Sequence, residues 1–241
     1  MKTTILFILT VAALGVFAAD AGNDESDFVS IFDGKSMTGW VGNVDGYEAK
    51  EGILSCLPGK GKGGNVFHEK EYDNFVLRFE FKLTPGANNG LGLRCPLEGK
   101  PSSKGFESQI LDNTSKRYAK LKDAQYHGSL YKRVAAKRGF LKPVGEWNQQ
   151  EVIMNKDYVK ITLNGTVILE DDDIGRFKRP GKGHVGFLGH GSLVQFKHVR
   201  IKQIKECYDL FFHFCCLHPV FRRQPQPTSS KSSPMIKAGE T

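Results

Sequence analysis

The sequence predicts an all-β protein, a two-sheet antiparallel β-sandwich or jelly roll, and three observations lead there. Short apolar segments recur at close spacing and alternate with a period of two. Turn residues separate them, with 27 Gly in the chain. Residues 116–122 alone hint at a helix, and weakly. At 241 residues the chain is long enough to bury a core of its own.

The elements follow in order. Residues 1–19 read as a secretory signal peptide: Met1-Lys2 gives a positive start, residues 5–17 an apolar run, and Val16-Phe17-Ala18 or Ala19-Asp20-Ala21 a small-residue cleavage site. This implies a secreted or periplasmic protein. A polar linker, residues 20–27, leads into a domain spanning 28–205, where Gly34 and Gly39 mark turns and Trp40 is expected to enter the core. Residues 47–50 and 53–56 form a strand pair around Glu51-Gly52. The clearest strand is 75–83, with Phe75, Leu77, Phe79, Phe81 and Leu83 on one face and Arg78, Glu80 and Lys82 on the other. Pro85-Gly86-Ala87-Asn88-Asn89-Gly90 turns the chain into 91–94, and residues 105–113 then alternate so that Glu107 and Gln109 share a strand face. Residues 152–154 and 158–163 are further strands, Asn164-Gly165 signals a two-residue hairpin turn into 167–169, and 185–188 and 194–201 complete the set. The apolar phase slips between Phe196 and Val199, which predicts a bulge.

The tail, residues 206–241, is different in kind. Residues 208–221 are apolar but short for a membrane span and broken by Asp, His and Pro, and 225–241 are Ser/Pro/Lys-rich, the composition of a disordered segment. No transmembrane span is expected in the mature protein.

Several function classes are excluded by what is missing. The net charge is +8, of which Lys2 gives +1 and residues 207–241 give +2, leaving a mild +5 for the body. The densest basic group, Lys132, Arg133, Lys137, Arg138 and Lys142, lacks interleaved aromatics, so no nucleic-acid partner is expected. The Gly59 to Gly64 loop lacks the Gly-Lys-Ser/Thr that holds phosphate, and there is no nucleophile elbow, His-Glu-x-x-His or dinucleotide fingerprint. Of five cysteines, Cys56 and Cys95 lie in the body, either bridged or as two buried thiols, and no pair has zinc-site spacing. The Cys207, His213, Cys215, Cys216, His218 group fits no metal-site spacing either. No cofactor is expected, with a calcium ion on loop oxygens near Asp171, Asp172 and Asp173 left open beside a plain charged loop.

Seven segments, in order, carry a family resemblance: Ile31-Phe-Asp-Gly-Lys-Ser36 to Gly39-Trp40, Asn88-Asn-Gly90 to Arg94, Gly105-Phe-Glu-Ser-Gln-Ile-Leu-Asp112, Gly128-Ser-Leu-Tyr131, Gly145-Glu-Trp-Asn148, Leu163-Asn-Gly165 and Gly186-Phe-Leu-Gly-His190. Together they resemble the 3-keto-disaccharide hydrolase domain family over roughly residues 29–205. The resemblance implies a concanavalin A-like (laminarinase-like) sandwich and cleavage of glycosides already oxidised at C3. An oligosaccharide or 3-keto-glycoside is then the expected substrate; the oligomeric state is left open.

A ketone at C3 acidifies the C2 hydrogen, so a base removes it, the C1 group leaves, and water adds. By similarity Glu107 is the general base or acid, Arg94 the stabiliser of the enolate or ketone oxygen, and Tyr131 the proton donor to the leaving oxygen. His190 and His127 are acid/base partners, and Asn89 and Gln109 bond sugar hydroxyls. Trp147 is either a stacking platform for a sugar or a core anchor. Asp112 joins Glu107 only if the strand bulges at Ile110-Leu111; that arrangement is the alternative of a retaining β-glucan glycosidase. A further alternative is a lectin-like module that binds glycans and performs no chemistry. The basic run around Lys132-Arg133 fits either an acidic, phosphorylated or sulfated sugar or a solvated loop. The glycosylation acceptors Asn113 and Asn164 complete the motifs, and a glycan on Asn113 would crowd the proposed groove.

Overall fold

Strict alternation of phenylalanine and leucine with charged residues leaves residues 75–83 one way to bury their apolar groups, as a strand with one face inward. The computed structural model describes residues 25–59 and 63–205; the signal peptide and most of the linker expected at the N-terminus, and the whole tail from 206, lie outside the described residues.

In chain order the strands are β1 (Val29–Ser30), β2 (Trp40–Gly42), β3 (Tyr47–Lys50), β4 (Ile53–Cys56), β5 (Gly64–Tyr72), β6 (Phe75–Leu83) and β7 (Asn88–Cys95). A single-turn helix, α1 (Pro101–Lys104), precedes β8 (Phe106–Leu111), and β9 (Trp147–Asn155), β10 (Tyr158–Leu163), β11 (Thr166–Asp171), β12 (Gly183–Gly189) and β13 (Val194–Gln203) follow. They form two antiparallel sheets. The larger runs β11-β10-β9-β6-β13-β4-β3, with β1 also pairing β13, and the smaller runs β2-β5-β12-β7-β8. The fold is an all-β two-sheet sandwich.

The core lies between the sheets. Phe187 of the smaller sheet stacks on Phe196 of the larger at 3.7 Å between ring centroids and is flanked by Trp40 at 5.8 Å and Phe79 at 5.9 Å. Trp40 is buried and its indole N–H donates to Ile31 O at 2.8 Å, so the polar edge of the ring is satisfied inside the core. The expected bulge is present. Pairing of β13 with β6 shifts between Lys197 and Arg200, and His198 takes a φ of +51° to accommodate the extra residue.

Two expectations are revised, and one alternative left open is resolved. Residues 116–122 hold one 3-10 turn, Lys116–Tyr118, in place of an α-helix. β5 was not foreseen as a strand: His68, Glu69, Lys70 and Glu71 hide its pattern, and Val66 and Phe67 are buried on opposite faces, which erases the alternation. Cys56 and Cys95 are separate buried thiols, Cys56 in the core between the sheets and Cys95 against Phe67 and Leu188.

Candidate active site

β8 is the edge strand of the smaller sheet that carries the site. Its alternation sends Phe106 and Ile110 into the core with Ser108, while Glu107 and Gln109 point to the outer face. A face of that kind is ordinarily wet, yet every residue of β8 is buried. The covering comes from α1 and from the loop that follows β8. That loop returns alongside the strand: Gln109 N donates to Ser129 O, Gly128 N to Gln109 O and Tyr131 N to Glu107 O, at 2.8–3.0 Å.

Glycines on β7 make room for the acid. Gly92 lies opposite Glu107 and Gly90 opposite Gln109, so both share the face of the two polar side chains. A Cβ on Gly90 would collide with the Glu107 carboxylate and would stand only 3.0 Å from its Cδ and Cγ. The carboxylate therefore lies across the bare backbone of Gly90.

The resulting pocket has a volume of about 430 Å³ and is lined by Asn88, Lys100, Ser102, Ser103, Glu107, Gln109, Tyr131, Lys132, Arg133 and His190. Glu107 is 7% exposed. Burial pushes its carboxyl up to about 7, against the opposing pull of Lys100, a hydrogen bond from Ser102 and the charge of Lys132. The Gln109 carboxamide lies 3.3 Å from Glu107 Oε1, and in the orientation that satisfies both groups its N–H donates to that oxygen and to Asn89 O. Tyr131 accepts a bond from Gln125 Nε2 at 3.1 Å, which leaves its own hydroxyl proton free to point into the pocket. His190 sits at the β12–β13 turn, where its residue surface is exposed but partial burial of the ring lowers its pKa from the ordinary value.

The sequence-predicted residues divide into two groups. Glu107, Gln109, Tyr131 and His190 converge on this pocket; the other five do not line it. Arg94 is 2% exposed, and its guanidinium donates to Asp73 O at 2.7 Å, Lys156 O at 2.8 Å and Asn74 Oδ1 at 3.3 Å, tying together two hairpin turns. Its φ of +50° breaks the alternation that would have aimed it with Gly90 and Gly92. Asn89 is one residue out of phase with Gly90 and is fully buried, its Oδ1 accepting from Gly90 N. His127 is enclosed in the core, 5.0 Å from the Phe81 ring centroid, accepting from Leu111 N and interacting with Gln150. Burial drives its pKa down to about 3, so it is a neutral core histidine.

Trp147 belongs to the other sheet. Its ring is capped by Lys197 at 4.4 Å and Lys82 at 5.0 Å, residues that alternate onto the outer face of the larger sheet. Asp112 follows β8 without a bulge, the β7–β8 register running unbroken from Leu93–Phe106 to Asn88–Leu111. Its carboxylate accepts from Gly86 N at 2.8 Å, Thr114 N at 2.9 Å and the Thr114 hydroxyl at 2.6 Å, and so ties together the turns that enter β7 and leave β8 at the open end of the hairpin. The rephased carboxylate pair needed by a retaining glycosidase is not formed.

Asn88, Lys100, Ser102 and Ser103 were not foreseen as pocket residues. Pro101 is a sequence signal for α1, since a proline at the first helical position is already set to a helical φ, but it does not say where that helix will lie. The acceptor asparagines are both engaged: Asn113 Oδ1 accepts from His127 N, and Asn164 Nδ2 donates to Phe140 O and Asn148 Oδ1. In the Asp171–Asp173 loop the Asp171 carboxylate is held by Arg176. A smaller concavity on the larger sheet, about 310 Å³, is lined by charges that already pair, Arg78 with Glu25 and Glu151. Among the described residues no helix is long and apolar enough to cross a membrane.

Comparison with known proteins identifies the family. Residues 27–202 match the family model described as a 3-keto-alpha-glucoside-1,2-lyase-like domain. A curated relative from Bacteroides thetaiotaomicron named 3-keto-disaccharide hydrolase is 28% identical over 229 residues, covering 74% of this chain and 79% of the relative. Two crystal structures from Parabacteroides distasonis, both described as candidate glycosyl hydrolases, superpose with TM-scores of 0.65 and 0.66. They are 25% and 22% identical, cover 75% and 73% of this chain, and are themselves covered over 95% and 99% of their length. With the family model matching most of the domain, the chain belongs to the 3-keto-α-glucoside-1,2-lyase-like family of carbohydrate-active proteins.

Proposed function

We propose that this protein cleaves 3-keto-glycosides by proton abstraction at C2 and elimination at C1, with Glu107 as the proton carrier. One observation supports this above all: a carboxyl buried in a polar pocket, pushed up to about 7, exchanges a proton readily at neutral pH. Glu107 takes the C2 proton, and the C–H electron pair moves onto the C3 carbonyl oxygen as an enolate. The pair then returns to form the C1–C2 double bond and expel the C1 oxygen, which takes a proton from Tyr131. Water adds next. Hydroxide goes to C1, the other water proton restores Tyr131, and Glu107 returns its proton to C2, so the net change is hydrolysis.

The enolate needs a positive partner. Arg94 is committed to the two turns, and Lys100 and Lys132, whose charges already act on Glu107, take that part in our reading. Gln109 and Asn88 bond hydroxyls of the sugar, and His190 stands at the mouth as a proton relay to solvent. No second carboxylate lines this pocket among the described residues, which favours the elimination route over a two-carboxylate displacement.

The test is to incubate the purified protein with a 3-keto-glucoside and with an ordinary β-glucan. Turnover of the keto-sugar alone is expected. Turnover of neither, with glycan binding retained, would mean a lectin-like module, and turnover of the β-glucan would mean an ordinary glycosidase. Export to the periplasm or medium is part of the same proposal, and N-terminal sequencing of the exported protein should find the chain starting close to residue 20.

A further inference from the structure

The pocket does not end at Glu107. A second hollow of about 450 Å³ shares Asn88 and His190 with it and continues past Arg117 and Tyr118, so the two form one groove that turns around His190. Its charge is one-sided. Lys100, Lys132 and Arg133 line the first hollow and Arg117 the second, against Glu107 as the one carboxylate among the described lining residues.

Some basic side chains elsewhere in the domain meet carboxylates, as Arg78 meets Glu25 and Glu151, Arg176 meets Asp171, and Lys197 meets Glu80. Among the described residues none of the four groove cations has such a partner. Arg133 is held by Ser102 O and by the Phe106 and Phe177 rings. Arg117 is exposed, with its guanidinium 5.1 Å from the centroid of the buried Tyr118 ring. A guanidinium beside an aromatic ring gives up none of its N–H donors to that contact, and Arg117 lines the second hollow. A low-dielectric cleft lined by charge of one sign concentrates ligands of the other.

We propose that the natural substrate carries an oxyanion, a carboxylate or sulfate, on the sugar or aglycone unit that extends beyond His190, and that Arg117 receives it. This rests on the reading above for where the scissile bond lies. The planar fork of Arg117 matches either anion with two parallel hydrogen bonds, and Lys100 and Lys132 add long-range attraction without contacting it.

Calorimetric binding of three unoxidised disaccharides tests this without turnover: a neutral disaccharide, its uronate and its 6-sulfate. At least one anionic form should bind about tenfold or more tightly than the neutral one, the scale of a charge-assisted hydrogen bond. That advantage should collapse in Arg117→Gln and in high salt. A preference for the uronate alone identifies a carboxylate, and one for the sulfate alone identifies a sulfate ester. Equal affinities, binding of none of the three, or a preference that survives Arg117→Gln would overturn the inference. Turnover of a neutral 3-keto-disaccharide, measured in parallel, tests the catalytic reading separately, so failure of one is told apart from failure of the other.

Discussion

Gly90→Ala is the substitution that probes the site with least disturbance to the rest of the protein. The φ of Gly90 is not among the positive values of the described residues, so its backbone accepts alanine, and the three atoms nearest the added methyl all belong to the Glu107 side chain. Carbon atoms in contact rest about 3.5–4.0 Å apart, and the new Cβ would stand 3.0 Å from both Cδ and Cγ of Glu107 and closer still to Oε1. The carboxylate must retreat by roughly 0.5–1 Å, a displacement of the order that costs about 100-fold in rate when a reacting group is moved.

Stability should hardly change. Crowding costs about 1 kcal/mol when the obstacle is the end of a flexible side chain, and replacing glycine returns about 0.4–1 kcal/mol through the unfolded state. Turnover of a 3-keto-glucoside and thermal unfolding of the same preparation provide the assay. We expect activity to fall by about two orders of magnitude with Tm within a few degrees of the wild type. Full activity in a folded Gly90→Ala variant would refute the claim that the position of Glu107 across Gly90 matters.

Other consequences follow from the same geometry. The Glu107 carboxyl rises from 4.5 to about 7 on folding, so its contribution to stability is full below about 4.5 and is lost as pH climbs through about 7. Glu107→Gln, which cannot ionise, should therefore be more stable than the wild type at pH 8, by about 3 kcal/mol at most, and little different at pH 5; denaturant titrations at the two pH values measure this. Arg94→Gln should destabilise the fold by about 2–4 kcal/mol, through loss of bonds from a charged donor to buried carbonyl groups. The fraction that remains folded should keep its KM; a folded variant with normal stability and no activity would restore Arg94 to the chemistry. Alkylation of the denatured, unreduced protein followed by peptide mapping should label both Cys56 and Cys95, since neither is in a disulfide.

How far the sequence could be read depended on parity. Where one face of a strand is apolar and the other charged, as in β6, the alternation is visible and the strand bounds follow directly. Where both faces are covered, as at Val66 and Phe67 of β5, there is no alternation to see. The same rule explains the site. Glu107 and Gln109 were legible as a pair because they sit two apart on a regular strand, and Tyr131 and His190 were reached through the family resemblance. Asn89 and Trp147 carry chemistry that suits a sugar, but parity turns the first into the core and the second onto the far face of the other sheet. Arg94 was misplaced for a subtler reason, since a single left-handed residue at the end of β7 reverses the direction its side chain would otherwise take. Lys100 and Ser102 reach the pocket because α1, immediately before β8 in the chain, packs against that strand; Pro101 signals the helical turn, but nothing in its sequence says which way the turn will pack.

The central claim is that Glu107 carries the C2 proton, and single-turnover reaction of a 3-keto-disaccharide by Glu107→Gln tests it most directly. An amide cannot accept that proton. The account predicts that elimination falls by at least about 100-fold while binding of the substrate, measured at equilibrium, is retained. Elimination at the wild-type rate in a folded Glu107→Gln protein would contradict it.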